Sequence, residues 1–429
     1  MSAVQSSGGA AAPKLPQTAA MRFIMLVVLI DMLAVGIIVP VLPVLVGRFT
    51  ADPSEQAWWY GAIALSYAFA QFFAAPILGA LSDRFGRRPV LLLGFMGLAL
   101  NFFMTALAAT VWMLVLSRLI GGAMQANAAI ANAYVADITP PEERAKRFGL
   151  LGAMFGIGFI LGPVLGGLLG GIHLQLPFFV AGVLALVNLV YGYFVLPESL
   201  PVEKRRAMDW KRANPLSAFR NLAALKGVGP LVGVLALTGL AQFSLYTIWV
   251  LYGSFRFGWG PTESGWSLFA VGVVSAVVQG ALLGRLLKRF TAGRLAVLGL
   301  ASSTLAFIMY GLATETWMMY VIIFANILGA TVAAALQGLV SGAAGEREQG
   351  QTMGAVSSLN SLTAVFAPVM AAPLMAGVSH LPLTDWRVGA PMFFCALLQC
   401  GALLLAFLHF RRQARQAVQT TVAPAAPMS

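Results

Sequence analysis

Two ionisable residues stand inside long apolar runs. Asp31 lies in the run that begins at Phe23, and Arg118 in the run that begins at Val111. A charge held in hydrocarbon costs about 2.5–3.5 kcal/mol on insertion scales, so it needs a partner, a water-filled cavity or a function. Asp31 sits about nine residues into its run, roughly 13 Å at 1.5 Å per residue, too deep for a short carboxylate to reach bulk water. Two readings stand open for it. It is a structural partner for a neighbouring helix or for Arg118, or it is a carboxylate that binds and releases a proton. In the second reading Arg118 is the group that competes for the ionised carboxylate.

Arg118 also begins a polar stripe. Arg118, Gln125 and Asn132 are seven apart and repeat on one helix face. Such a face at membrane depth meets either protein or a water-filled cavity. Asn127 points to the opposite side and is expected to pack between helices. Further polar groups recur at helical spacing: Tyr67 with Gln71, Ser275 with Gln279, and Asn326 with Gln337. Each pair alone is equally well read as hydrogen bonding between helices. Together with Trp249, Tyr246 and Phe243 they outline a mildly polar, aromatic cavity suited to a large amphipathic organic molecule. The expected substrate-binding residues are Gln71, Gln125, Asn132, Trp249, Ser275, Gln279 and Gln337.

Other chemistries lack their residues. No Gly-rich loop ends in Gly-Lys-Ser/Thr, so nothing suggests ATP as an energy source. The three histidines, His173, His380 and His409, fall in loops or at the edges of apolar runs and have no metal-ligand spacing. Cys395 and Cys400 share one apolar run and read as packing residues. The expectation is therefore no enzyme, no cofactor and no bound metal.

The elements that position these residues are membrane helices. The chain has 429 residues, is 59% hydrophobic and only 10% charged, and has a mean hydropathy of +0.84. A soluble domain is about a quarter charged. Twelve runs are long enough to cross the hydrocarbon: about 22–46, 57–81, 90–109, 111–136, 147–171, 177–196, 227–253, 262–287, 293–312, 316–343, 350–377 and 388–410. They are numbered here as spans 1 to 12. The longest polar stretch, 197–226, carries Lys204, Arg205, Arg206, Lys211 and Arg212 and divides the chain into six-span halves, 21–196 and 227–410. Residues 1–20 are rich in Ala, Ser, Gly and Pro and read as a loose tail rather than a cleavable signal. Residues 411–429 read as a second tail, loose from 418 onward.

The net charge of +12 could suggest nucleic acid, but its distribution points to topology instead. All of the 27 Lys and Arg except Arg48, Arg256, Arg387 and Arg118 fall on one side of the expected bundle, together with both termini. That bias marks the cytoplasmic side. The halves also repeat. Gly79 to Phe85 aligns with Gly284 to Phe290, and Gly162-Pro163 with Ala367-Pro368, both at an offset of 205. Gly121 falls near Gly329 in the same scheme.

The tight turn Gly79-Ala80-Leu81-Ser82-Asp83-Arg84-Phe85-Gly86-Arg87-Arg88-Pro89 resembles the loop signature of the major facilitator superfamily. More of the chain is similar to its drug:proton antiporter branch, and most of all to the tetracycline-exporter group. Asp31 is followed by Gly36-Ile37-Ile38-Val39-Pro40-Val41-Leu42-Pro43. Arg118 leads to Ala133-Tyr134-Val135-Ala136-Asp137-Ile138-Thr139. Gly158 to Gly167 resembles the antiporter motif of span 5, and Trp249 to Trp259 the end of span 7 and its loop.

The resemblance implies an all-α fold of twelve helices in two six-helix repeats, with a binding site between the halves near the midplane. It implies a secondary transporter exporting a small amphipathic organic compound in exchange for protons, a monomer in the bacterial inner membrane whose partners are substrate, protons and lipid. Uptake of an organic metabolite or siderophore-like compound is the competing reading. Asp31 and Arg118 would couple protons. Asp83, Arg84, Arg87 and Arg88, with Asp137 as ionic partner, would latch the cytoplasmic side, and breaking the latch would open the inward-facing state. Gly158, Gly162, Pro163, Gly166 and Gly167 would bend span 5. The second copy of the loop is degraded, with Lys288 where Asp83 would be. Three positions that are charged or histidine in tetracycline exporters align with neutral Asn101, Ser275 and Ser303.

Overall fold

A computed structural model describes residues 17–205, 229–343 and 349–422. Among these residues the regular elements are helices, with no strand. Eleven helices are long and apolar enough to cross a membrane, and a bent pair, Thr316–Ala325 with Gly329–Gly342, supplies a twelfth. They coincide with the twelve apolar runs, because a backbone in lipid satisfies its hydrogen bonds only within helices or closed barrels.

The ends differ from expectation in three places. Span 1 is helical over Gln17–Ile38, starting inside the expected tail, and then turns at Val39–Val41. Pro40 has no N–H to donate, so the helix cannot run on; a short helix, Leu42–Val46, follows. Span 12 extends over Ala390–Val422, through most of the expected C-terminal tail. That stretch loses its apolar character but keeps Ala, Gln and Arg, which are good helix formers. In the polar stretch between halves, Val202–Lys204 forms a 3-10 turn. Arg206, Lys211 and Arg212 lie outside the described residues.

Two spans are interrupted. Span 4 is built from Val111–Ala123 and Asn127–Ile138. Span 10 breaks between Ala325 and Gly329, with a 53° bend. Both breaks adjoin the glycines related by the internal repeat, Gly121 and Gly329. Span 8, running through Pro261–Val277 and Leu283–Arg289, carries a π-helical turn at Val278–Leu282.

Span 5, Arg144–Ile172, is an unbroken helix through Pro163. Its glycines form two seams rather than a hinge. Gly158, Gly162 and Gly166 are four apart and face span 1: a Cβ on Gly162 would lie 2.6 Å from Gly36 Cα, and one on Gly166 would collide with the Ile37 carbonyl. Gly167 faces span 8, where a Cβ would meet Pro261 O at 2.6 Å. The expected bending motif is thus two close-packing faces set by the four-residue period.

Where the halves touch reveals the conformation. Span 5 meets span 8 at Pro163, Gly167, Pro261 and Gly265. Thr262 Oγ1 donates to Gly167 O at 3.2 Å. Span 2, Pro53–Phe85, meets span 11, Gln349–Val378, at Gly61 and Ala372. All these contacts lie toward the end opposite the Gly79–Pro89 turn. At the basic end the glycines are open: a Cβ on Gly79, Gly149, Gly152, Gly284 or Gly342 would meet nothing within 4 Å. The bundle is closed at its far end and open at its basic end.

Candidate functional site

Asp31 is only 4% exposed and is held between spans 1 and 4. Asn127 Nδ2 donates to its Oδ1 at 3.0 Å. Val27, Val28, Leu91, Phe95 and Phe155 complete its surroundings. Asn127 does pack between helices, and in doing so it supplies the Asp31 partner. It occupies that place because span 3 carries Gly94 opposite it, where a Cβ would lie 3.0 Å from Asn127 Cγ.

Arg118 is buried at 5% exposure but does not pair with Asp31. It lines a separate cavity of about 230 Å³ in the N-terminal half, shared with Tyr60, Tyr67 and Asn101. The direct competition between Arg118 and the Asp31 carboxylate is therefore absent from this conformation. The residue between them is Tyr67, within electrostatic range of both.

The stripe of span 4 does not survive the helix break. Gln125 is buried at the break itself, between the two helical pieces. Asn132 is exposed and donates to the Ala128 carbonyl of its own helix at 2.8 Å. Gln71 is half-buried on span 2. None of these three lines the Arg118 cavity or the larger cavity of the other half. A seven-residue period keeps one face only while the helix is continuous, and Gly121-Gly122 end that continuity.

The larger cavity, about 390 Å³, is built wholly from the C-terminal half. Trp249, Ser275, Gln279 and Gln337 all line it, with Tyr246, Phe243, Ser303 and Asn326. Trp249 offers its ring face, since its indole N–H already donates to Ser267 Oγ at 2.9 Å and its ring meets Tyr310 edge-on at 5.1 Å. The π turn carries Gln279 to the wall. Gln242, Asn360 and Gln399 also line it and were not anticipated. Gln242 had a visible signal: with Tyr246 and Trp249 it forms an i, i+4, i+7 stripe on span 7, Gly229–Phe257. No charged residue lines this cavity.

At the basic end, Arg87 joins three helices. Its Nε meets Asp137 Oδ2 at 3.1 Å, and its Nη1 pairs with Asp83 and donates to Ser82 Oγ at 2.7 Å. Ser199 Oγ donates to the same Asp137 oxygen at 3.2 Å. Glu198, missed in the sequence because it lies about 110 residues away, accepts from the backbone N–H groups of Arg87 and Arg88. Its carboxylate caps the first turn of span 3, Arg87–Ala106, where the helix dipole favours negative charge. Arg88 donates to the Tyr193 carbonyl and stacks over its ring. Arg84 is exposed over Phe85 at 5.1 Å. Every partner in this network comes from the N-terminal half. It is intact while the basic end is open, so its rupture is not what opens that end; it braces one half.

A family model described as the Major Facilitator Superfamily matches residues 24–368. The class C tetracycline resistance protein of Escherichia coli is 37% identical over 371 residues, covering 86% of this chain and 93% of that one. Multidrug resistance protein 2 of Bacillus subtilis (strain 168) is 29% identical over 360 residues, covering 83% and 88%. The crystal structure of the human organic anion transporter MFSD10 (TETRAN) shares 25% identity and a TM-score of 0.65, covering 92% of this chain and all of that one. Bundle, repeat, turn and sequence agree: this multi-pass membrane protein belongs to the major facilitator superfamily.

Proposed function

We propose that the protein is a secondary active transporter that exports a small amphipathic organic compound by alternating access, driven by protons through Asp31. The buried Asp31–Asn127 pair carries this reading. A lone carboxylate wedged between spans 1 and 4 changes its interhelical bonding when it gains or loses a proton. The C-terminal cavity, aromatic and amide-lined, suits an uncharged ring system. The basic end faces the cytoplasm by its charge, with both termini there, so the observed conformation loads from inside. The class C relative is named for tetracycline resistance and the Bacillus relative for multidrug resistance, so amphipathic antibiotics are the first compounds to test.

In proteoliposomes with an imposed pH gradient, the wild type accumulates the exported compound, whereas Asp31→Asn loses gradient-driven accumulation but keeps substrate counterflow. Wild-type counterflow indifferent to the gradient would instead indicate uptake or uniport. Full accumulation by Asp31→Asn would remove Asp31 from the coupling step.

A further inference from the structure

The Arg118 cavity is not explained by proton coupling through Asp31. The Nε and Nη2 of Arg118 are buried and have no hydrogen-bond partner. Asn101, fully buried on the same wall, has neither its Nδ2 nor its Oδ1 satisfied. Buried donors are paired in the great majority of native sites, so several unpaired donors facing one cavity indicate a ligand group. No acid lines this cavity, and among the described residues none forms an ion pair with Arg118. A guanidinium in a low-dielectric setting without a counter-ion is costly, and an incoming anion removes that cost. The cavity also adjoins the other half: Tyr60 lines it and packs against the cluster that contains Trp249.

We propose that Arg118 and Asn101 form an anion subsite in the N-terminal half, so that the transported compound carries a single carboxylate or similar acidic group. This rests on the transport reading above. Its neutral, aromatic portion is served by the uncharged C-terminal cavity. Arg118 Nε and Nη2 donate to the anionic oxygens and Asn101 Nδ2 adds a third donor, which leaves Asp31 free for the proton.

The test uses the full chain in nanodiscs of neutral phosphatidylcholine, with 2-naphthoate and its uncharged analogue 2-naphthamide as probes. Wild type is expected to bind the carboxylate about tenfold or more tightly than the amide. Arg118→Gln abolishes that preference while retaining amide binding, which also reports folding. Asn101→Asp, which places an internal counter-ion beside Arg118, weakens the carboxylate selectively. Equal affinity of the two probes for the wild type, absence of binding included, overturns the subsite, as does an undiminished preference in a folded Arg118→Gln. A carboxylate preference without gradient-driven flux of 2-naphthoate would support the subsite and count against the exporter alone. Equal gradient-driven flux of acid and amide would do the reverse.

Discussion

Asn127 Nδ2 bonds to Asp31 Oδ1 at 3.0 Å just beyond the break in span 4. The break matters to this contact. It frees the chain at Met124–Ala126, so the second half of span 4 is set by its packing on span 3 rather than by the first half. Gly97 and Gly94 provide that packing surface, taking Met124 and Asn127 respectively.

Asn127→Ala is expected to reduce gradient-driven accumulation by about tenfold while counterflow persists, since a hydrogen bond to a charged group contributes about 1.5–3 kcal/mol. Gly94→Ala reaches the same end from the opposite helix, because its Cβ would take the place of the Asn127 amide. Parallel measurement of pH-driven accumulation and counterflow checks both. Equal loss of both activities in either variant would make the pair structural.

The two glycine seams of span 5 separate stability from conformational preference. The Gly162 seam lies within the N-terminal half, so Gly162→Val overpacks it in any state and costs about 1–3 kcal/mol, read as a lower unfolding temperature. Gly265 touches Gly167 and Pro163 only where the halves close at the far end. Gly265→Val should leave the unfolding temperature near wild type and shift the population toward a far-end-open state. Spin-label distances across spans 5 and 8 read that shift directly, and an unchanged distance distribution counts against it.

Gly86 is one of two glycines with positive φ, at 107°, and its missing side chain leaves room for the Glu198 carboxylate. Gly86→Ala therefore combines backbone strain of about 1–3 kcal/mol with displacement of the cap. Glu198→Gln keeps the shape and loses only the charge, so its effect is smaller, about 1 kcal/mol. Unfolding temperatures at a fixed heating rate should fall in the order wild type, Glu198→Gln, Gly86→Ala. The reverse order of the two variants would show that the charge, and not the room at Gly86, holds the turn.

The membrane spans and the Arg87 network were legible because both are local signals: hydropathy runs along the chain, and Asp83, Arg84, Arg87 and Arg88 lie within six residues. The far partners were not. Glu198 meets Arg87 only after span 6 returns to the basic end, and Asn127 meets Asp31 only because span 4 breaks. Periodicity assumes a continuous helix, so Gln125 and Asn132 were grouped with Arg118 across a break that the assumption cannot register. The same assumption served span 7, which has no break, and Trp249 fell into the cavity as its stripe implied.

Trp249 supports the last prediction because its indole N–H is already occupied. Ser267 Oγ accepts that bond while donating to the Ser264 carbonyl at 2.8 Å, so loss of the indole nitrogen leaves no unpaired hydroxyl hydrogen. What Trp249 offers a ligand is a ring held edge-on by Tyr310. Trp249→Phe keeps a ring there, and affinity for an aromatic probe such as 2-naphthamide should stay within about threefold of wild type. Trp249→Ala removes it, and an aromatic contact is worth about 0.5–1.5 kcal/mol beyond its buried area, so affinity should fall about tenfold or more. Binding isotherms in nanodiscs decide the point. A Phe variant as weak as the Ala variant would mean that the nitrogen, released from Ser267, is what the ligand uses.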